Sequence, residues 1–281
     1  MAAETPAAGG GAGLFALGEY GSFDTLRLAA RGSAAIGPLG LAATASRSRS
    51  DGIDSFGAGG ERDGFSLTTA SLKGTLRLRE GVTLGAVGHW LEGTSQFDGV
   101  DPATFRRADT RDNTANRIGA VRGWVDAAWG PWRLRADASL LGSRNRNRLG
   151  AQPLNRTFGE RTTLGAQLSR RWSGHRVTAA ISHELERFRA RDTVFFGGTD
   201  QDRSRRVTAL AGEWQAEWAP AFATNLAVRH DDFSAFADAT TLRAAVLVRP
   251  APGWTLHAGY GEGIAHPSFY DLYGFFPGIF R

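Results

Sequence analysis

The feature that most constrains this chain is a recurring unit, in which two alternating segments flank a tight turn and a long polar stretch follows. Tight turns rich in glycine and proline lie at positions 37–40, 79–82, 130–131, 173–175, 219–221 and 250–253. Long polar stretches separate these units, at about 46–66, 92–116, 143–160, 187–205 and 231–240. Short turns at one end and long loops at the other predict an antiparallel barrel whose ends face different compartments, as in outer-membrane proteins.

Between the turns, apolar and polar residues alternate with a period of two. Segment 132–140 places Trp, Leu, Ala, Ala and Leu on one face and Arg, Arg, Asp and Ser on the other, and segments 177–186 and 209–218 are similar. Such alternation over about 8–12 residues predicts strands long enough to cross a membrane. A soluble sandwich or lipocalin-like barrel also alternates, but its strands are usually about 5–6 residues long. We therefore predict an all-β, antiparallel, up-and-down transmembrane β-barrel with about thirteen strands, the first at about 14–20.

The tryptophans support this interpretation. Five of the eight lie close to the short turns: Trp129, Trp132, Trp172, Trp218 and Trp254. An indole is apolar but carries one N–H donor, so tryptophan favours the border between lipid and water. We expect these side chains, together with Trp214, to form an aromatic belt on the outer surface.

Composition excludes several other classes. The chain has 281 residues, 42% of them hydrophobic, with a mean hydropathy of −0.27. No run of 18 apolar residues exists, which excludes a membrane-spanning helix. The sequence contains no cysteine, so disulfides and thiolate metal sites are excluded as well.

The net charge of +5 comes from arginine, since Lys73 is the only lysine. Two groups of arginines lie at predicted strand tips: Arg144, Arg146 and Arg148, and Arg203, Arg205 and Arg206. They are suited to lipopolysaccharide phosphates or an anionic ligand, although a solvated loop surface is the simpler interpretation. Nucleic-acid binding is not expected, because no regularly spaced aromatic residues form a stacking platform.

No arrangement of catalytic residues stands out, and we do not expect an enzyme. His183, His257 and His266 are separated, and neither a Ser/His/Asp arrangement nor an HExxH motif is present.

Acidic residues crowd two neighbouring loops. Four lie in the first long loop (Asp51, Asp54, Glu61 and Asp63) and four in the next (Asp98, Asp101, Asp109 and Asp112). Calcium prefers several carboxylate and carbonyl oxygens on an adaptable backbone, and glycines are frequent here. The two loops are therefore a candidate Ca²⁺ site, and ordinary solvated acidic loops remain the alternative.

The last part of the chain resembles a known family. Segment 258–274, AGYGEGIAHPSFYDLYG, resembles the SYGxGFKAPxxxDLYG segment of TonB-dependent receptors, and of their cobalamin-receptor branch in particular. Other pieces follow in the family's order: EYGSFDT (19–25), SRSDGID (48–54), RDGF (62–65), FDGVDPATF…ADTRD (97–112) and RHDDFSAF…TTLRAA (229–245). The resemblance extends from about residue 14 to 276.

The resemblance implies an outer-membrane receptor of a Gram-negative bacterium that takes up a scarce nutrient, with cobalamin favoured. A ferric-siderophore receptor and a passive porin or adhesin-type barrel remain alternatives. It also implies that calcium orders the two acidic loops. Carried over position by position, the ligands are Asp54, Glu61, Asp63, Asp98 and Asp109, with Glu61 standing where the family has Asp.

The family has a 22-stranded barrel filled by an N-terminal plug, with a TonB box that couples transport to the inner membrane. We predict a flexible segment at 1–13, without the basic and apolar regions of a signal peptide, and a partial barrel at 14–281. No plug or TonB box precedes Leu14, and residues 276–281 replace the family's continuation. We therefore expect a fragment of a receptor gene, reaching TonB only through the absent plug. The transported nutrient is not determined by these residues.

Overall fold

The structure is a computed structural model, and it describes residues 11–57, 60–101, 103–193 and 200–273. Most of the predicted flexible segment, residues 1–10, and the stretch 276–281 lie outside the described residues. The described part of the chain forms a single antiparallel sheet of thirteen strands, each paired with the next in chain order. This confirms the predicted all-β, up-and-down architecture and the predicted number of strands.

The strands are β1 (Gly13–Gly21), β2 (Thr25–Ile36), β3 (Leu39–Ile53), β4 (Asp63–Arg79), β5 (Val82–Phe97), β6 (Asp112–Trp129), β7 (Trp132–Leu149), β8 (Gln152–Trp172), β9 (His175–Asp192), β10 (Gln201–Ala219), β11 (Phe222–Phe233), β12 (Ala239–Val248) and β13 (Leu256–Gly261). One short helix, α1 (Phe269–Tyr273), follows the last strand. In the described part of the chain, no helix is long and apolar enough to cross a membrane.

The strand register divides the sheet into two faces, because residues directly opposite each other project to the same side. Leu134 of β7 pairs with Leu168 of β8, and Leu168 pairs with Ala179 of β9. Arg135, the next residue along β7, pairs with Gln167 instead. The sheet therefore has an apolar face, which carries Leu134, and a polar face, which carries Arg135.

The apolar face is exposed across the sheet. Seven of its large side chains are 46–57% exposed: Val121, Leu140, Leu164, Ile181, Leu210, Leu226 and Leu242. Among the described residues, the buried hydrophobic ones are Ala42, Ala209, Ala216 and Phe233, and no large side chain is fully buried. A single layer of this kind has no core of its own, so its apolar face requires an apolar covering. This excludes the soluble two-sheet sandwich.

Two-residue turns join the strands at one end of the sheet. They connect β2 to β3, β4 to β5, β6 to β7, β8 to β9 and β10 to β11. Gly81 and Gly174 lie in two of these turns with φ angles of 74° and 82°, which residues with a Cβ rarely adopt. The predicted short-turn end is therefore present, and we call it the turn end.

At the opposite end, the loop end, strands extend further than the alternation predicts. β7 and β8 meet in a two-residue turn after Leu149, so the polar stretch 143–160 is a strand hairpin and not a loop. Asn145 Nδ2 donates to Asn116 Oδ1 (2.8 Å), and Asn147 Nδ2 donates to Asn155 Oδ1 (2.8 Å). These amides and the backbone ladder continue the strands where the apolar pattern has ended.

Tryptophans gather on the apolar face near the turn end. Trp172 pairs in register with His175, whose ring centroid lies 5.7 Å from that of Trp172 and 6.0 Å from that of Trp214. Trp218 contacts Trp214 at 5.4 Å. Trp132 lies at the same border, beside Arg170, whose guanidinium is 5.3 Å from the Trp132 ring centroid. Four predicted belt residues, Trp132, Trp172, Trp214 and Trp218, therefore lie at one border of the apolar face, while Trp254 lies in the connection between β12 and β13.

Candidate functional site: the acidic loops and the polar face

The two acidic loops are neighbours because β3 to β6 are consecutive in the sheet. The first loop joins β3 to β4, over residues 54–62, and the second joins β5 to β6, over residues 98–111. In the second loop, the Phe105 N–H donates to the Asp101 carbonyl (2.8 Å), and Ala103 N–H donates to Asp101 Oδ1 (2.7 Å). Asp101 therefore shapes a compact turn rather than facing the first loop.

Three of the five predicted calcium ligands converge. One carboxylate oxygen from each of Glu61, Asp98 and Asp109 lies within 4.8 Å of the other two. Glu61 and Asp98 are partly buried, while Asp109 is exposed. Arg111 Nε, 3.3 Å from Glu61 Oε2, is the cation that already faces this group.

Asp63 joins the group through a shared serine. The Ser55 hydroxyl contacts Asp63 Oδ2 and also lies 2.7 Å from Asp98 Oδ2. One hydroxyl has one proton, so it satisfies only one of these two carboxylate oxygens at a time. Asp63 Oδ1 is buried and has no hydrogen-bond partner within the described residues. Since the Ser55 N–H also donates to Asp63 Oδ2 (3.3 Å), the unsatisfied atom of this pair is Asp63 Oδ1.

The pKa of Asp98 lies below its ordinary value. The Ser55 hydroxyl is the main cause, followed by the Thr110 N–H, which donates to Asp98 Oδ1 (3.0 Å). Hydrogen bonds to the ionised form stabilise it. Asp98 is therefore held as a carboxylate, the form that binds a cation.

Asp54, the fifth predicted ligand, organises the first loop. Its Oδ1 accepts the Gly57 N–H (2.6 Å) and its Oδ2 accepts the Gly60 N–H (3.1 Å). A Cβ on Gly60 would overlap the Asp109 carboxylate, so this glycine allows the two loops to meet. The structure thus groups Glu61, Asp98 and Asp109, links Asp63 to Asp98, and gives Asp54 a role in loop shape.

These residues fit a hard divalent cation. The donor set consists of carboxylate oxygens from two loops, which Ca²⁺ and Mg²⁺ prefer. The unpartnered Asp63 Oδ1 is the specific observation in favour, since a buried carboxylate oxygen without a partner is costly.

Asp112, which the sequence groups with the loop acids, lies elsewhere. It is 2% exposed at the start of β6, and its Oδ1 accepts the Gly150 N–H (2.8 Å). It therefore fastens the β7–β8 hairpin to β6.

A second cluster on the polar face was not found from the sequence. After β13, the chain runs back across the sheet as a returning segment, residues 262–273. Arg205 Nη1 donates to the Pro267 carbonyl (2.7 Å), and the Arg205 guanidinium lies 4.5 Å from the Phe269 ring centroid. Arg205 also pairs with Glu186, and both side chains are nearly buried, at 6% and 10% exposed.

Aromatic contacts hold the rest of this segment. Phe269 stacks on Phe188 of β9 (5.5 Å, 7° between planes), and His266 stacks on Phe236 (5.6 Å, 12°). Tyr273 faces the Arg203 guanidinium at 4.7 Å. The returning segment therefore covers the polar face near the loop end. The sequence showed the HPSFYDLY motif but nothing of where it docks, because its partners are some 30–80 residues away in the chain.

Comparison with known proteins agrees with this architecture. The barrel family described as TonB dependent receptor-like, beta-barrel, matches residues 13–280. The chain therefore belongs to the TonB-dependent receptor family, whose members are transport receptors of the Gram-negative outer membrane. No curated protein matches the chain.

Several solved structures have a similar fold. The siderophore receptor PirA from Pseudomonas aeruginosa has a TM-score of 0.68 and 14% identity, over 92% of this chain and 43% of that one. The copper transporter OprC has a TM-score of 0.70 and 14% identity, over 96% of this chain and 48% of that one. The alcaligin receptor FauA from Bordetella pertussis has a TM-score of 0.72 and 15% identity, over 89% of this chain and 43% of that one. The chain spans less than half the length of each of these proteins, and identities this low show the fold alone. None of the three is named as a cobalamin receptor.

Proposed function

We propose that this chain forms part of the barrel of an outer-membrane receptor that captures a scarce nutrient at its loop end. The observation that carries the proposal is the single sheet with one exposed apolar face and one polar face. Such a sheet fits a barrel wall, with lipid outside and an aqueous interior. In this orientation the turn end is periplasmic and the loop end is extracellular.

For the nutrient, we propose a metal complex, and two candidates stay open. Cobalamin is supported by the sequence resemblance, in which segment 258–274 carries most weight. A ferric siderophore is supported by the names of the solved relatives PirA and FauA. A passive porin or adhesin-type barrel is the weaker alternative, because it does not account for the family match.

The partners of the whole receptor follow from this proposal. TonB would supply energy through a plug and TonB box, which are separate from the barrel strands described above. Outer-membrane lipid and lipopolysaccharide would contact the apolar face and its borders. No catalytic reaction and no nucleic-acid partner are proposed.

We also propose that the acidic loops bind Ca²⁺ through Glu61, Asp98 and Asp109, with Asp63 and Asp54 supporting them. A divalent cation would offset the repulsion between these carboxylates and hold the two loops together. Loops fixed in advance lose less conformational entropy when they bind a ligand. Calcium would thus strengthen nutrient capture without contacting the nutrient.

The test is direct binding to the full-length receptor that carries this chain. Cyanocobalamin and a set of ferric siderophores, each with its metal-free form, would be titrated by tryptophan fluorescence. We expect one metal complex to bind more tightly than its metal-free form. Binding of none of them, together with solute flux that does not require TonB, would support the porin alternative instead.

A charge variant distinguishes the two candidates. Arg203 lies on the polar face at the loop end, and Arg171 lies on the same face at the turn end. An anionic ferric chelate should bind more weakly to Arg203→Gln, while a ligand without net charge should be unaffected. Arg171→Gln is the matched control and should leave the binding of either ligand unchanged.

A further inference from the structure

The loop end of the apolar face carries a group of five arginines, here called the arginine patch: Arg144, Arg146, Arg156, Arg187 and Arg189. They lie on β7, β8 and β9, and the register places them on one face. Arg144 pairs with Phe158, which pairs with Arg189. Arg146 pairs with Arg156 in the adjacent row. The sequence grouped Arg144 and Arg146 with other strand-tip arginines but did not show which of them share a face.

The centre of the arginine patch is one phenyl ring. The guanidinium carbons of Arg144, Arg189 and Arg156 lie 5.0, 5.6 and 5.9 Å from the Phe158 ring centroid. Cation–π contacts of this kind hold a guanidinium in place without using its N–H donors. The ring therefore brings three cations together without using their N–H donors.

The arginine patch carries more cations than counter-ions. Glu160 forms an ion pair with one of its five arginines, Arg189, at 3.5 Å. Among the described residues, neither Arg144 nor Arg156 forms an ion pair, and the Nε of Arg144 is buried with no hydrogen-bond partner. Like charges this close repel one another unless an anion lies between them.

The position of the arginine patch indicates the source of that anion. Arg144 lies four residues beyond Leu140, the last aliphatic residue of β7 on the apolar face. At about 3.3 Å per residue and a strand tilt of about 40°, the patch lies roughly 10 Å beyond the aliphatic band. Lipid headgroups occupy this level of a bilayer.

We propose that the arginine patch binds the phosphate groups of a phosphorylated glycolipid in the outer leaflet. This inference rests on the proposed membrane location of the barrel. Guanidinium groups bind phosphate oxygens in a bidentate manner, and Arg144, Arg156 and Arg189 would share one phosphate over the Phe158 ring. The arginines of the polar face differ, because Arg205 already pairs with Glu186 and with the Pro267 carbonyl.

The experiment measures binding of lipid A to the full-length receptor in detergent by native mass spectrometry. The variant R144Q/R156Q/R189Q should bind phosphorylated lipid A roughly 100-fold more weakly, since each of the three basic residues contributes about a fivefold effect at a membrane surface. Dephosphorylated lipid A should bind weakly to both proteins. The control R171Q/R176Q/R243Q removes the same charge from exposed arginines of the polar face and should leave binding unchanged.

The variant R144K/R156K/R189K should bind between wild type and the glutamine variant, because lysine keeps the charge but loses the bidentate geometry. If the glutamine variant does not fold, the lysine variant and the dephosphorylated lipid carry the test. Equal binding of the phosphorylated and dephosphorylated lipids, or equal losses in the control, would overturn the proposal. Displacement of the lipid by millimolar inorganic phosphate would also overturn it, in favour of a soluble anion. Nutrient binding on the same samples is a separate readout, so failure here does not count against the uptake function.

Discussion

At the scale of single residues, Ser55 provides hydrogen bonds to the carboxylates of the acidic loops. Its one hydroxyl contacts the carboxylates of Asp63, at the start of β4, and of Asp98 in the second loop. The Ser55 N–H also donates to Asp63 Oδ2 (3.3 Å), so Asp63 Oδ1 is the oxygen of this pair that has no partner within the described residues. That oxygen is the observation on which the calcium proposal depends.

The double variant Asp63→Asn/Asp98→Asn tests the calcium proposal. Asparagine keeps the shape and an acceptor oxygen but removes two negative charges, so calcium affinity should fall by at least about tenfold from an expected 10⁻⁴–10⁻³ M. Calorimetric titration of the full-length receptor with calcium measures this directly. Nutrient affinity should fall to the same extent as it does for wild type in excess chelator.

Asp101→Asn/Asp232→Asn is the charge-matched control, since Asp101 shapes its own turn and Asp232 is an exposed residue of β11. If the Asp63/Asp98 variant and the chelator leave nutrient affinity unchanged, the acids are ordinary solvated loop residues.

At the scale of elements, small residues on one strand make room for large ones on the next. Gly85 of β5 pairs with Trp124 of β6 on the polar face. A Cβ on Gly85 would lie 2.0 Å from Trp124 Cζ2, so the indole covers the glycine directly. An aromatic ring over a glycine is a known way to fix the register of two strands. Trp124 thus has a packing role, unlike the tryptophans of the turn-end belt.

Gly85→Ala should therefore destabilise the β5–β6 pair. The added methyl group forces the Trp124 ring to move, at a cost of about 1–3 kcal/mol. We expect the midpoint temperature of thermal unfolding to fall. Circular dichroism of the full-length receptor in detergent measures this midpoint. Gly88→Ala is the control on the same strand, because its Cβ would meet nothing closer than 3.9 Å. Equal midpoints for the two variants would show that the ring adapts without cost.

At the scale of the whole molecule, the described part of the chain is a single-layered sheet whose two edges are the strands β1 and β13. Within the described residues, β1 and β13 each pair with one neighbour only. Unpaired strand edges and an exposed apolar face both promote association. In lipid, edge N–H and C=O groups need partners, and barrels provide them by closing the sheet.

We therefore expect the 281-residue chain, expressed alone, to form aggregates in the absence of detergent and to bind no nutrient. Size-exclusion chromatography with light scattering, combined with circular dichroism, measures this outcome. A soluble monomer that unfolds cooperatively without detergent would contradict it and would require another covering for the apolar face.

The sequence alone determined the fold class, because membrane strands are recognisable from the alternation of apolar and polar residues and from the glycine and proline residues of their turns. The period of two gave the apolar face around Leu134, and the first strand, predicted at 14–20, is Gly13–Gly21. The crowding of acids indicated two neighbouring acidic loops, and in the structure one carboxylate oxygen from each of Glu61, Asp98 and Asp109 lies within 4.8 Å of the other two. These features are local, or follow from the pairing of consecutive strands.

Only the tertiary structure decided the rest, since it depends on register and on contacts distant in sequence. Alternation could not show that β7 extends as far as Leu149 or that β8 begins at Gln152, because polar residues lie on both faces of the sheet there. Nor could it separate Arg144, on the apolar side, from Arg205, which the returning segment covers. A single residue of register places a side chain on the opposite face, and register is fixed by the hydrogen-bonded ladder of the complete sheet.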